Sequence, residues 1–339
     1  MLTKRQNLLE TIRGGKPDRF VNQYEAFDCS PDSLFGFIFA DPVVAASASP
    51  AFGGEPVKDS WGVTKSWPAN VPGPFPVHDA AHKVLKGEDV TQWEKIVKAP
   101  TLQYPQSEWD KYKPQLDIID RKEVFVTVFG APGIFEQLHY LMGMEDCMLA
   151  LYEEPEAMKA LIDYILEWKL AYAKLLCDNF APEVILQHDD WGSHRSSFLS
   201  PDMFEEFLLE PYKKWYGYYK KRGVQLIVHH NDAYSANLVP FMIEMQLDIW
   251  QGCVTTNNVP ALVKKYGGKI SFMGDVDNGL VDREDWNQEL VEKHVRRACQ
   301  ENGKHYFIPC ITQGGKGSVY PGVYDAISVA IDKMSKEMF

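Results

Sequence analysis

The chain has 339 residues, of which 45% are hydrophobic, and its 47 Asp and Glu residues outnumber 35 Lys and Arg residues to give a net charge of −12. This size allows one large core, and the acidic balance argues against nucleic acid as a partner. We find no N-terminal signal sequence and no apolar run of membrane-spanning length, so we expect a cytoplasmic protein without a membrane partner. The six scattered cysteines are expected to be thiols or metal ligands rather than disulfides: Cys29, Cys147, Cys177, Cys253, Cys299 and Cys310.

The first third of the chain, residues 1–120, predicts an N-terminal extension. Residues 3–14 have the pattern of a helix that ends at a Gly-Gly pair. Residues 19–27 alternate enough to predict a strand. Residues 41–80 are rich in Gly, Pro, Ser and Trp and predict a long irregular segment. Such a segment is either a cover over the flank of the fold or a functional loop.

From residue 120 onwards, strand and helix patterns alternate. Six strands are predicted over 123–129, 182–187, 224–228, 247–251, 269–273 and 306–308. Helices are predicted over 134–141, 144–153, 156–179, 200–222, 238–245, 260–266, 287–301 and 322–337. With one or two strands before residue 120, this alternation predicts an α/β fold, a single-domain (β/α)8 TIM barrel over residues 1–339. The alternative is an open doubly wound sheet, which the absence of G-x-G-x-x-G after any strand disfavours.

The strand predicted over 224–228 leads directly into candidate metal ligands. His230 and Asp232 are two residues apart, so in extended chain they point the same way. Cys310 follows the last predicted strand, and in parallel barrels the chemistry sits at the carboxyl ends of the strands. We hypothesise that these three residues bind one Zn²⁺ and leave a coordination position open for catalysis. His229 alternates to the other face and is expected to be a packed histidine. The alternative is a buried His, a helix-capping Asp and an inert core Cys, because no C-x-x-C or H-E-x-x-H pattern is present.

Other polar residues also follow predicted strands. Glu25, His188 and Asp190 are candidate acid–base groups because each lies at a predicted strand end. Asp189 and Asp275 either belong to this group or cap the helix that follows them. The remaining histidines are expected to be packed, as for His139 beside Tyr140, or solvated, as for His78, His82, His194 and His294.

Three segments carry a resemblance to a known family: the opening helix with Pro17-Asp18-Arg19, Asp59-Ser60-Trp61-Gly62-Val63, and Asp189-Asp190-Trp191-Gly192-Ser193 with Phe198-Leu199-Ser200-Pro201. They resemble the uroporphyrinogen decarboxylase superfamily and, within it, the corrinoid-dependent methyltransferases. The methyltransferases bind zinc through a His-x-Cys-Gly stretch at a strand end and a later Cys. His230-Asn231-Asp232-Ala233 and Cys310 match these elements, with Asp and Ala in place of Cys and Gly. A carboxylate ligand makes the metal harder, which suits an oxygen or nitrogen leaving group rather than sulfur.

The resemblance implies a zinc-dependent methyltransferase that moves a methyl group from a small methoxylated, aromatic substrate to the Co(I) of a corrinoid. The chain lacks Asp-x-His-x-x-Gly, the motif of corrinoid-binding domains, so we expect the cobalamin on a separate partner protein. Tyr24, Trp61 and Trp191 are expected to line the substrate pocket or the docking surface. The alternative for the tryptophans is packing in the core. Thiol or amine substrates are the alternative within this class.

The same residues leave two alternative functions. The decarboxylase acts on a polycarboxylated tetrapyrrole held by arginines near the N-terminus. Residues 22–27 contain no arginine, and Glu25 would repel a polyanion. The other alternative is a non-catalytic binding protein, against which a zinc ion with an open coordination position would argue.

Overall fold

The computed structural model describes residues 1–27, 40–68, 71, 73–77 and 79–339. Cys29, predicted to be a thiol or a metal ligand, and His78, predicted to be solvated, lie outside these residues. The other five cysteines are free and buried. No helix in the described ranges combines the length and the apolar character that crossing a membrane requires.

A parallel sheet of six strands forms the centre of the fold, and a small antiparallel sheet lies in the N-terminal third. The antiparallel strands are β1 (Val57–Lys58), β2 (Thr64–Ser66) and β3 (Phe75–Pro76). The parallel strands are β4 (Thr127–Gly130), β5 (Val184–His188), β6 (Leu226–His230), β7 (Ile249–Cys253), β8 (Ser271–Val276) and β9 (Phe307–Ile311). The parallel strands neighbour one another in chain order, without the reversal of a doubly wound sheet.

Helices separate consecutive parallel strands, as the alternation of patterns predicts. The helices of the described residues are α1 (Lys4–Arg13), α2 (Pro42–Ala45), α3 (Trp93–Ile96), α4 (Gln106–Asp110), α5 (Ile134–Met142), α6 (Met144–Glu153), α7 (Pro155–Phe180), α8 (Pro201–Phe204), α9 (Glu210–Lys221), α10 (Val239–Glu244), α11 (Val259–Tyr266), α12 (Asn278–Val281), α13 (Gln288–Asn302) and α14 (Val323–Met338). A π-helical turn, Glu205–Leu209, joins α8 to α9. The Ser200 hydroxyl accepts a hydrogen bond from the Met203 amide at 3.2 Å and caps α8, as expected for Ser before Pro at a helix start.

The strand predicted over 19–27 is wrong. Gln23 has a φ of 51° and the chain turns there, with Phe27 N donating to Tyr24 O at 2.8 Å. This turn lies between the two edges of the parallel sheet: Gln23 N donates to Pro309 O of β9 at 3.3 Å, and Phe125 N, just before β4, donates to Ala26 O at 2.9 Å. The sheet of the described residues therefore has six strands rather than the predicted eight.

All six parallel strands continue further than the apolar pattern predicts. β5 ends at His188 and β6 at His230, one and two residues beyond the predicted ends. The backbone ladder persists after the side chains become polar, because pairing needs only peptide groups. His188 is paired in register with His230, and His230 with Gln251 of β7. In-register residues of adjacent parallel strands face the same side, so these three side chains form one row across the sheet.

Two carboxylates predicted as possible caps of following helices have other partners. Asp189 accepts hydrogen bonds from the amides of Phe135 at 3.1 Å and Glu136 at 2.8 Å, and so caps α5, a helix that precedes it in sequence. Asp275 pairs with Arg297 at 3.0 Å instead of capping a helix. The residue that caps α12 is Asp277, whose carboxylate accepts from Gly279 N at 3.0 Å. The capping prediction is therefore wrong for both.

Candidate functional site

A cavity of about 360 Å³ lies at the carboxyl ends of β4 to β7. One part of its wall is polar and consists of Glu136, His188, Asp190, His230, Asp232 and Gln251. The other part is mainly aromatic and apolar and includes Tyr24, Phe75, Phe129, Tyr140 and Leu186. A cavity of this size, with a few convergent polar groups on an apolar wall, is typical of a site for a small molecule.

The two histidines at the strand ends are oriented by different partners. His188 Nδ1 lies 2.9 Å from the carboxylate of Glu136, and His230 Nδ1 contacts the amide oxygen of Gln251. Both Nδ1 atoms are therefore engaged as donors, and both Nε2 atoms turn toward carboxylates. His188 Nε2 lies 3.8 Å from Asp190 Oδ2, and His230 Nε2 lies 3.9 Å from Asp232 Oδ2. An imidazole held through one nitrogen presents the other for metal binding or proton transfer.

The polar wall contains a cluster that is able to hold a metal ion. The ligand atoms of His188, Asp190 and His230 all lie within 4.8 Å of one another. Asp232 adjoins this cluster, since its backbone amide donates to Asp190 Oδ1 at 3.0 Å. Imidazole nitrogen and carboxylate oxygen are both zinc ligands. The cluster includes one of the three predicted ligands, His230, and lies next to a second, Asp232.

Cys310, the third predicted ligand, is not part of this cluster. It lies fully buried in β9, and its thiol forms hydrogen bonds with Tyr24 and Gln251. Gln251 also contacts His230, so one amide side chain links the thiol to the histidine. Burial raises the pKa of the Cys310 thiol well above its usual value.

Burial and the neighbouring charges shift the pKa values of the two histidines in opposite directions. Burial lowers the pKa of His188, but the carboxylates of Glu136 and Asp190 outweigh burial and raise it to about 10. Burial raises the pKa of Glu136, but the charge and hydrogen bond of His188 bring it down to about 2. Burial, together with the nearby charge of His188, lowers the pKa of His230 to about 4. One histidine is thus held as an imidazolium and the other as a neutral imidazole.

The pKa values of the two aspartates of the site are shifted in the same direction. Burial raises the pKa of Asp190 to about 6, although the charge of His188 opposes the shift. Burial and the charge of Asp190 raise the pKa of Asp232 to about 6. Desolvated carboxylates in this position favour any cation or proton donor that enters the cavity.

The other predicted site residues are placed in different surroundings. Tyr24 lines the cavity, as predicted for a pocket residue. Glu25 accepts a hydrogen bond from Asn22 N at 3.1 Å and does not line the cavity. Trp61 is buried and packs edge to face on Trp168, with ring centroids 5.3 Å apart. Trp191 lies in the core. Neither Trp61 nor Trp191 lines this cavity.

His229 occupies the other face of β6, as expected for a packed histidine. Its ring stacks on Trp191 with centroids 3.9 Å apart. Its Nδ1 lies 2.7 Å from the Tyr216 hydroxyl, and its Nε2 lies 3.0 Å from Asp189 O. These contacts satisfy both ring nitrogens, and burial lowers the pKa of His229 to about 3.

Glu136, Lys65 and Gln251 are among the cavity residues that the sequence analysis missed. Glu136 is 4% exposed. It is an acidic residue in an otherwise largely apolar helix start, and this pattern in the sequence could have indicated a functional side chain. Lys65 of β2 pairs with Asp59 at 2.8 Å and lies 5.3 Å from the Tyr140 ring centroid. Gln251 sits in the middle of a buried strand, where an amide needs a partner. The irregular segment 41–80 thus contributes Lys65 and Phe75 to the cavity wall.

Comparison with known proteins places these observations in a family. The sequence profile of the uroporphyrinogen decarboxylase (URO-D) family matches residues 89–310. No curated protein matches the chain in sequence. Among solved structures, a methyltransferase from Methanosarcina mazei is similar with a TM-score of 0.64 and 13% sequence identity, covering 98% of this chain and 99% of that chain. At this identity the likeness demonstrates a shared fold.

Proposed function

The chain belongs to the uroporphyrinogen decarboxylase family, and on that premise we propose that it is a zinc-dependent methyltransferase of the corrinoid-dependent kind. Its substrate is a small methoxylated aromatic compound, and the methyl group passes to the Co(I) of a corrinoid held by a separate protein. The reaction is an O-demethylation. The similar fold of a methyltransferase from Methanosarcina mazei supports this class of reaction.

The observation that carries the proposal is the pair of oriented histidines among carboxylates. His188 and His230 each use Nδ1 for a fixed partner and turn Nε2 into the cavity. The donor set of imidazole and carboxylate groups fits zinc. We propose that His230, Asp232 and Cys310 hold the ion. The cluster of His188, Asp190 and His230 is the competing ligand set.

The ligand set that leaves out His188 agrees with the different partners of the two histidines. His230 is bonded to a neutral amide and is held as a neutral imidazole, the form that binds metals. His188 is bonded to the Glu136 carboxylate, which favours an imidazolium. Zinc, when bound, supplies Lewis acidity to the ether oxygen of the substrate.

The remaining polar groups then serve the leaving oxygen. We propose that His188 donates a proton from Nε2 to the phenolate, because Glu136 fixes its ring from the opposite side. Asp190 faces the same Nε2 atom at 3.8 Å and positions it. Glu25 stays a candidate from the sequence alone, and its bonds within the 22–25 turn favour a structural role.

The apolar wall supports an aromatic substrate. Phe75, Phe129 and Tyr140 lie on one side of the cavity, opposite the polar groups. Aromatic side chains favour stacked or edge-to-face contacts with a substrate ring. Tyr24 belongs to the same proposal as a pocket residue, whereas Trp61 and Trp191 have no contact with this cavity to support that role.

Porphyrin decarboxylation is disfavoured by the charge of the same wall. Glu136, Asp190 and Asp232 line the cavity. Among the described lining residues, Lys65 is the one basic side chain other than the histidines. A substrate with several carboxylates would meet like charges there, which costs binding energy.

We further infer that the chain is one domain and that its sheet is part of a (β/α)8 barrel. The strands follow chain order, and the turn around residues 23–26 hydrogen-bonds to the chain at both sheet edges. In such barrels the active site lies at the carboxyl ends of the strands. That end holds the cavity, so the corrinoid protein is proposed to dock there.

The test combines metal analysis with product analysis. The purified protein should contain about one zinc per chain. With a methoxyarene and a reduced corrinoid protein it should release the corresponding phenol, and a chelator that removes zinc should stop the release. Release of carbon dioxide from uroporphyrinogen, with no phenol from any methoxyarene, would overturn the proposal.

A further inference from the structure

A second cavity lies on the other face of the parallel sheet. It has a volume of about 160 Å³ and is bounded by β4, β5, α7 and α9, with the segment around Trp61 above it. Ile185 and Gln187 of β5 face this cavity, whereas Leu186 and His188 of the same strand face the first one. The alternation of side chains along a strand therefore separates the two cavities. Lys65, Phe129, Ala131 and Pro132 border both.

A buried lysine without a carboxylate partner lines the second cavity. Lys169 of α7 is 6% exposed. Its ammonium donates to Pro132 O at 2.7 Å and lies 4.8 Å from the Trp215 ring centroid. No carboxylate of the described residues lies within ion-pair distance of it, unlike the exposed lysines of the same helix, Lys159 and Lys174. A buried ammonium has three N–H donors, and one carbonyl satisfies only one of them.

A second unsatisfied donor lines the same cavity. Gln137 of α5 is 2% exposed, and its side-chain amide nitrogen has no hydrogen-bond partner. Buried amide donors are nearly always bonded, because desolvation without a partner is costly. The lysine and the amide come from different helices and border one small space.

We propose that this second cavity binds a small organic carboxylate. One carboxylate offers several acceptor sites on two oxygens, which complement an ammonium and an amide N–H. An organic rather than an inorganic anion is indicated by the walls, which consist largely of Trp61, Val128, Trp168, Tyr172, Ile185 and Trp215. These side chains favour an apolar body on the ligand. The volume corresponds to about five water molecules, which limits the ligand to a short or single-ring acid.

The proposed site is independent of the proposed methyl transfer. It uses Lys169 and Gln137, which take no part in the metal cluster or in the proton transfer. Benzoate is a suitable probe, since it combines a carboxylate with one aromatic ring, and benzamide has the same shape without the charge.

The experiment is calorimetric titration of the full chain with benzoate, propionate and benzamide. We expect at least one of the two acids to bind with a dissociation constant of about 1 mM or lower. The variant Lys169→Met should weaken that binding roughly tenfold or more, because it removes the charge and keeps the length of the side chain. Gln137→Leu should weaken it several-fold. Lys174→Met, the same substitution at an exposed position of α7, should leave it unchanged.

Two controls separate this site from the first cavity and from unfolding. His188→Ala should leave benzoate binding intact, because His188 faces the other cavity. Circular dichroism of each variant should retain the wild-type spectrum. The proposal is overturned if neither acid binds, so that the cavity holds only water, or if benzamide binds as tightly as benzoate. It is also overturned if Lys169→Met and Gln137→Leu bind the acid like the wild type, or if His188→Ala abolishes binding while they retain it.

Discussion

The imidazole rings of His188 and His230 are stacked, with centroids 4.5 Å apart and planes 20° apart. The stacking follows from their pairing in register at the ends of β5 and β6. The rings are not equivalent, because one is bonded to a carboxylate and the other to an amide. Two imidazolium ions at this distance would repel each other, so one charged and one neutral ring is the stable arrangement. This asymmetry is the basis for assigning proton transfer to His188 and metal binding to His230.

The first prediction concerns the metal ligands. His230→Ala, Asp232→Ala and Cys310→Ala should each lower zinc content well below that of the wild type, because a three-ligand site tolerates no loss. His188→Ala should keep its zinc. Cys253→Ala, at another buried cysteine of the same sheet, is the matched control and should also keep it. Inductively coupled plasma mass spectrometry of the dialysed proteins is the measurement. Loss of zinc from His188→Ala and Asp190→Ala, with full zinc in Cys310→Ala, would establish the competing ligand set instead.

The second prediction concerns Glu136 as a positioning residue. Glu136→Gln keeps the shape of the side chain but removes the charge that orients and stabilises the His188 imidazolium. We expect the single-turnover rate of methyl transfer to fall roughly 10- to 100-fold, with zinc content and substrate affinity unchanged. Glu145→Gln, at an exposed position of the first turn of α6, is the control. A rate equal to that of the wild type would remove Glu136 from the mechanism.

The third prediction concerns Asp189 as the cap of α5. Asp189 caps α5 through two backbone amides and also accepts from the Trp191 indole at 3.2 Å. Asp189→Ala should therefore lower the free energy of unfolding by about 2 kcal/mol. Asp189→Asn keeps acceptor capacity and should lose less. Ser200→Ala, which removes a single capping bond of α8, should cost about 1 kcal/mol. Urea denaturation measures all three, and an Asp189→Ala protein as stable as the wild type would refute the capping role.

The fourth prediction uses the buried charge of Lys169. Burial lowers its pKa to about 8, against the opposing charges of Asp189 and Glu136. An unfolded lysine titrates near its ordinary pKa of about 10.4. The buried ammonium therefore lowers the free energy of unfolding below pH 8, and this destabilisation is lost as the pH rises from about 8 to about 10. Without added ligand, Lys169→Met should be more stable than the wild type at pH 7 by an amount on the order of 3 kcal/mol.

This stability difference should shrink as the pH approaches about 10, where the folded wild type no longer carries the charge. Lys174→Met, at an exposed lysine, should follow the wild type at every pH. Denaturant unfolding at several pH values provides the comparison. A Lys169→Met protein that is less stable than the wild type at pH 7 would mean that the ammonium stabilises the core through its bonds.

Most helices and the six parallel strands follow from the sequence, because apolar periodicity and cap residues determine them locally. Thr3 and Gly14 bound α1, and Ser200 with Pro201 starts α8. The strand predicted over 19–27 failed because Gln23 adopts a left-handed conformation that its residue type does not announce. Long-range hydrogen bonds fix this turn, from Gln23 N to β9 and from the chain before β4 to Ala26 O.

The candidate site was predictable in part. His230 and Asp232 could be found because two residues of extended chain bring side chains to one face. The row of His188, His230 and Gln251 depends on the register of three strands far apart in sequence, and local patterns do not specify register between them. Glu136 lies at the site because Asp189, directly after β5, caps the start of α5. Trp191 was expected at a pocket wall, but its partners in the core, His229 among them, lie on distant elements.

The most direct test of the proposed function is single-turnover spectroscopy of the corrinoid. The zinc-loaded protein is mixed with a reduced corrinoid protein and, separately, a methoxyarene, a methylated amine and a methyl thioether, and the loss of Co(I) absorption is followed. We predict methyl–cobalt formation with the methoxyarene, its loss in His230→Ala, and no reaction with the other two donors. Reaction with only the amine or the thioether would contradict the assignment of an oxygen leaving group. Absence of reaction with every donor would contradict methyl transfer itself.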